Sequence, residues 1–154
     1  MTDMAWDAIF GAANMLAMIM WTGLILLPRW PALLSAVLYL GVGLLCLAYA
    51  GLLAGIVSGG LDPVGGQSPS LAKIARTPAM LVKSSEGGLT VGWIHYLAFD
   101  LFVGLWIARD ADAKRFSRLV QAPVLLATFL AGPLGLVLWL AVRERRAKAL
   151  GRWR

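Results

Sequence analysis

Four stretches of this chain are apolar for long enough to cross a bilayer, and short polar breaks separate them. A membrane-spanning helix needs about 20 mainly apolar residues. The stretches at about 6–27, 32–57, 89–108 and 119–142 meet that length. Pro28-Arg29-Trp30-Pro31 divides the first two, and Arg109 to Arg118 divides the last two. The one long connection runs from Ser58 to Gly88. It opens on Gly59-Gly60-Leu61-Asp62-Pro63 and closes on Ser84-Ser85-Glu86-Gly87-Gly88, both of them turn signals. The pattern predicts an all-α, four-transmembrane-helix bundle in a single domain, residues 1–154. Within the connection, Leu71, Ile74 and Ala75 share one helical face while Lys73 and Arg76 lie off it. That spacing predicts a short interfacial helix in the loop between helices 2 and 3. Pro133 is predicted to kink the fourth span and leave the carbonyl of Phe129 free, with the kink pointing inward. Gly51/Gly55 and Ala131/Gly135 are small-residue pairs suited to close helix packing, and the first makes a homodimer an open option.

Composition narrows the class. Hydrophobic residues make up 60% of the chain and charged residues 14%, against roughly a quarter charged in soluble domains. This excludes a disordered chain, a collagen-like fibre and a typical soluble domain. A single cysteine, Cys46, excludes an internal disulfide framework and a cysteine-rich zinc site, and a single histidine excludes bis-histidine haem. The net charge of +6 does not point to nucleic acid, because the bases cluster at the ends of apolar stretches, most densely in the tail 143–154. The implied partner is the lipid bilayer. Asp3 and Asp7, with no Lys or Arg before Arg29, are the reverse of a signal peptide's basic start. With four spans, nine Lys and Arg fall on the side of the termini and five on the other, which places both termini in the cytoplasm.

Polar side chains inside a membrane are expensive, so each needs a reason. The third span holds the densest set. At about 100° per residue, His95, Tyr96 and Asp100 fall on one half of the helix, with Ile94, Leu97, Leu101, Leu105 and Ala108 on the other. The polar half is expected to face the bundle and the apolar half the lipid. Tyr96 and Asp100, four apart, are within hydrogen-bonding reach. These groups either tie helices together or carry chemistry. Glu86 precedes the span as an interfacial carboxylate. Asn14 is the one strongly polar residue inside the first span, and Arg29 sits in the first turn. A metal held by His95, Asp100 and Glu86 is a further option, although the spacing matches no standard motif. Trp21, Trp93, Phe99 and Trp106 belong to an aromatic set that would line a groove for a flat apolar ligand or simply fill the core and interfaces.

The run Gly92-Trp93-Ile94-His95-Tyr96-Leu97-Ala98-Phe99-Asp100-Leu101-Phe102-Val103-Gly104, with Trp106-Ile107 and Asp110, resembles the central signature of the abscisic-acid-deficient, neoxanthin-synthase-like family of small membrane proteins. Phe10 to Asn14, Leu27-Pro28-Arg29-Trp30, Ser84-Ser85-Glu86, Ala122-Pro123 and Phe129 to Gly135 resemble other parts of that family, so the similarity spans most of the chain. The resemblance implies carotenoid chemistry. Plant members are associated with converting an epoxide, violaxanthin, to allenic neoxanthin. That isomerisation needs an acid at the epoxide oxygen and a base at the polyene chain, and no cofactor. It implies Asp100 or Glu86 as acid and His95 as base, with Tyr96 in the same set, and Asn14, Trp21, Arg29, Trp93, Phe99 and Trp106 around a polyene or isoprenoid ligand. No plastid transit segment is recognisable, so a bacterial inner membrane is the expected location, and the substrate there is another carotenoid, a retinoid or a different isoprenoid. The rival readings are a non-enzymatic carotenoid- or retinoid-binding or delivery protein, and a metal-dependent lipid-modifying enzyme.

Overall fold

A computed structural model of the chain describes residues 3–61 and 86–149. Every regular element among them is helical. The helices are α1 (Asp3–Leu26), α2 (Pro31–Val57), α3 (Glu86–Ala113), α4 (Arg118–Leu130) and α5 (Gly132–Ala149). The first three are long and apolar enough to cross a membrane. The expected interfacial helix at 70–76 lies outside the described residues.

Helix α2 starts on Pro31, where a missing N–H is harmless. Its Val37–Gly43 turns widen into a π-helix. There Gly41 lies against Leu101 of α3 and Met20 of α1, and a Cβ would come within 2.9 Å of both. The helix ends at the glycine pair read as a turn signal. Gly59 takes φ 76°, its N–H bonds Ile56 O at 3.0 Å, and Gly60 N–H bonds Gly55 O at 3.0 Å. This is a Schellman stop. Helix α3 ends the same way without a glycine. Arg115 takes φ 55°, and Phe116 N–H returns to Ala111 O at 3.0 Å.

Helix α3 is the axis of the bundle. Its buried face is Ile94, Ala98, Leu101, Gly104, Leu105, Ala108 and Ala111. That reverses the expected facing, in which Ile94, Leu101, Leu105 and Ala108 turn to lipid. His95 and Tyr96 are exposed instead, Tyr96 to 59%. The reason is that lipid tails are as apolar as leucine, so hydrophobicity does not sort the faces of a membrane helix. Close approach does. The outer edge of the Trp21 ring of α1 abuts Gly104, with no room there for a Cβ.

The expected fourth span is not one helix. The chain breaks at Ala131 (φ −156°, ψ 83°), and α5 begins at Gly132-Pro133. The predicted kink is therefore a reversal. At the outer end of α4, Gln121 bonds Asp112 and Phe116 at the end of α3. Along α5, Trp139 and Arg143 return to that same end. Trp139 Nε1 donates to Asp110 Oδ2 at 3.1 Å, the Trp139 ring meets Phe116 edge-on at 5.0 Å, and Arg143 pairs with Asp110 at 3.3 Å. Between these contacts the tip, Leu130 to Pro133, reaches Asp100. Asp100 is the middle of α3, about 15 Å along the axis from Asp110. Gly135 packs so closely on Thr128 that a Cβ would overlap the Thr128 backbone. Helices α4 and α5 thus form a tight hairpin rather than a continuous rod.

Candidate functional site

Irregular backbone at the depth of a helix centre needs its polar groups satisfied by protein. The N–H groups of the hairpin tip meet that demand residue by residue. Leu134 and Gly135 N–H bond Ala131 O at 2.9 and 3.2 Å, and Pro133 has no N–H. The remaining donor, Gly132 N–H, goes to the Asp100 carboxylate. Asp100 therefore caps α5, where the positive end of the helix also favours an anion. The approach is so close that a Cβ on Gly132 would strike the carboxylate.

Asp100 also lines a cleft of about 480 Å³ between α1, α3 and the tip. Asn14 and Met18 supply one wall, Trp93, Tyr96 and Leu97 another, and Phe129 to Pro133 the floor. The Asn14 side chain is fixed at both ends. Its Nδ2 donates to Phe10 O at 2.8 Å, and its Oδ1 accepts from Trp93 Nε1 at 3.0 Å. Phe10 stacks on Trp93 at 5.8 Å, extending the aromatic wall. Asp100, Tyr96, Asn14 and the Trp93 N–H thus gather in an otherwise apolar cleft. Such an arrangement suits a hydrophobic ligand with one polar or reactive point.

The other expected site residues lie elsewhere. His95 is on the opposite side of α3, stacked on Phe99 at 4.6 Å and tilted against Tyr49 at 5.2 Å. Phe99 lines a separate apolar groove of about 470 Å³ with Tyr39, Val42 and Cys46, beside the π-helical turns of α2. Trp106 lines a shallow depression with Phe102, Val103 and Leu136. Trp21 is buried behind the cleft and meets Phe129 edge-on at 5.6 Å. Glu86 starts α3, about 21 Å along the axis from Asp100. The three residues of the metal option are therefore not assembled. Among the described residues no group of three His, Cys, Asp or Glu comes close enough to hold a metal.

Arg29 anchors the far end. Its guanidinium donates to Leu24 O at 3.2 Å, Ala108 O at 3.2 Å, Asp112 Oδ1 at 3.0 Å and Gln121 Oε1. It ties the end of α1 to α3 and to the outer end of the hairpin. Burial lowers its pKa from the ordinary arginine value, with the pull of Asp112 opposing. Gln121, 1% exposed, was not singled out in the sequence. Its signal was present: it is the one amide in the fourth apolar stretch.

Residues 8–139 match the family model described as ABA DEFICIENT 4-like. The chain belongs to this family. The matched region takes in the cleft, the π-helical turns and the α4–α5 tip, so the resemblance seen in the sequence extends to the whole bundle. Membership suggests a carotenoid-related membrane protein of neoxanthin-synthase-like type. No curated protein and no solved structure matches the chain.

Proposed function

We propose that this ABA DEFICIENT 4-like protein is an intramembrane enzyme, in a bacterial inner membrane, that isomerises a carotenoid or related isoprenoid at the Asp100 cleft. One observation carries the reading: Asp100, at mid-helix depth, faces an apolar cleft together with Tyr96 and Asn14. A half-buried carboxylate one helical turn from a phenol, both lining one largely apolar cleft, has the make-up of a proton-exchanging pair. For an epoxide substrate the chemistry balances without a redox cofactor. The carboxylate takes a proton from the polyene, the electron pair forms a new double bond, and the epoxide C–O bond opens as its oxygen gains a proton from Tyr96. Asp100 then returns the proton to Tyr96. Asn14, held in place by the Trp93 N–H, lines the cleft and is placed to orient a hydroxyl or epoxide oxygen, while Trp93, Phe129 and Pro133 hold the apolar chain.

This assigns the base to Asp100 and places His95 outside the reaction. The test is conversion of an epoxy-carotenoid by the purified protein, followed by chromatography. Asp100→Asn and Tyr96→Phe should each abolish or strongly reduce turnover while leaving pigment binding intact, and His95→Ala should retain turnover. The second reading, a non-enzymatic carotenoid holder, draws on the cap itself: Asp100 has a structural use without any chemistry. Stoichiometric pigment binding with no turnover by the unmodified protein would favour that reading.

A further inference from the structure

We infer that the chain crosses the membrane three times, with α4–α5 a re-entrant hairpin entered from the cytoplasm, so that the start of α1 and the end of α5 face opposite sides. The inference rests on the hairpin and the charge distribution, and it stands or falls independently of the chemistry proposed for the cleft.

Four crossings would put the outer ends of α4 and α5 on opposite sides. Both ends instead meet the same end of α3, through Gln121 to Asp112 and through Trp139 and Arg143 to Asp110. Length agrees. Helix α4 has 13 residues, about 20 Å, and the apolar part of α5 from Leu134 to Val142 spans about 14 Å at 1.5 Å per residue. Neither crosses a core of about 30 Å, but each reaches its middle. The first charge after that stretch, Arg143, lies where α3 ends.

Regrouping the bases by this topology sharpens the asymmetry. The α2–α3 connection holds three, Lys73, Arg76 and Lys83, and the residues before α1 hold none. The other eleven lie at the Arg29 end, in the last turns of α5 or after it in the sequence. A four-span count gives nine against five, and the three-span count gives eleven against three. The positive-inside rule then places the Arg29 end in the cytoplasm and the start of α1 outside.

Single cysteines in a Cys46→Ser background test this in bacterial spheroplasts, using a membrane-impermeant sulfonated maleimide. Met4→Cys should label in intact spheroplasts. Arg115→Cys and Arg145→Cys should label only after lysis. Labelling of Arg115→Cys and Arg145→Cys from opposite sides would overturn the hairpin. Met4→Cys protected while both others label in intact spheroplasts would overturn the orientation. A fusion of a fluorescent protein or alkaline phosphatase after Arg154 gives a second readout that needs no substitution. Fluorescence with an inactive phosphatase is expected, and an active phosphatase would overturn the proposal.

Discussion

Three glycine-to-alanine substitutions place the hairpin under a graded test. A methyl at Gly51 would meet nothing within 4 Å, so alanine should act there only through helix propensity. The expected gain is about 0.5–1 kcal/mol. At Gly132 the nearest neighbours are the three carboxylate atoms of Asp100, all within 3.0 Å of the added Cβ. A short side chain can swing aside, and the cost is then the lost cap, a hydrogen bond to a charged group worth about 1.5–3 kcal/mol. At Gly135 the neighbours include the Thr128 backbone N and Cα. Backbone cannot swing, so the hairpin must open, at about 3 kcal/mol or more. Thermal unfolding in mild detergent, followed by the fluorescence of the seven tryptophans, should rank the variants Gly51→Ala above the parent, then Gly132→Ala, then Gly135→Ala. At about 2–4 °C per kcal/mol for a chain of this size, the spread is about 7–16 °C. Gly132→Ala should also lose carotenoid turnover out of proportion to its stability, because the displaced group is Asp100. Equal melting of Gly135→Ala and the parent would refute the hairpin packing.

The remaining predictions concern single contacts. Arg29→Met leaves the Gln121 side-chain carbonyl without its arginine donor and Asp112 with the Gln121 amide but no cation, and should cost about 2 kcal/mol, read as a lowered melting point. Arg115→Gly relieves a left-handed φ of 55° and should stabilise by about 1 kcal/mol; a lowered melting point would show that the arginine side chain holds that turn. His95→Ala removes stacking on Phe99 worth about 0.5–1.5 kcal/mol and should leave turnover near the parent level; a complete loss would return His95 to the reaction.

The class of fold was legible because it rests on length and composition. Apolar runs of more than 20 residues declare membrane helices, and the Gly59-Gly60 stop was readable from its dipeptide. Polarity alone gives the wrong facing for α3. The small residues Ala98, Gly104, Ala108 and Ala111 marked the packed stripe more faithfully, since close approach is what selects a helix interface in lipid. The fourth span misled for a related reason. Pro133 was read as a kink within one helix, but Gly132-Pro133 removes one N–H outright and offers another to a side chain. The partner that makes a full break tolerable, Asp100, is 32 positions earlier in the sequence. Asp100, Tyr96, Asn14 and Trp93 were all named from the sequence and do share a cleft. His95 falls in the same half of the helix, yet 140° of helix rotation from Asp100 is enough to place it against Tyr49 of α2, away from the cleft.

The placement of Asp100 explains how a bilayer-depth carboxylate can be retained at all. An isolated charge at that depth would be costly. Here the tip of the hairpin supplies an N–H and the positive end of α5, while the carboxylate supplies the cap that the broken backbone lacks. Each compensates the other, so neither the break nor the charge is stable alone. The consequence is that stability and chemistry meet in one side chain. Asp100→Asn preserves the shape and an acceptor oxygen for Gly132 N–H while removing the carboxylate that accepts and returns a proton. Asp100→Leu removes both. If Asp100 is only a cap, Asp100→Asn should melt near the parent and keep any activity. If it is also the base, Asp100→Asn should melt near the parent and convert nothing. The asparagine variant therefore separates the two roles, whereas a leucine or alanine would confound them.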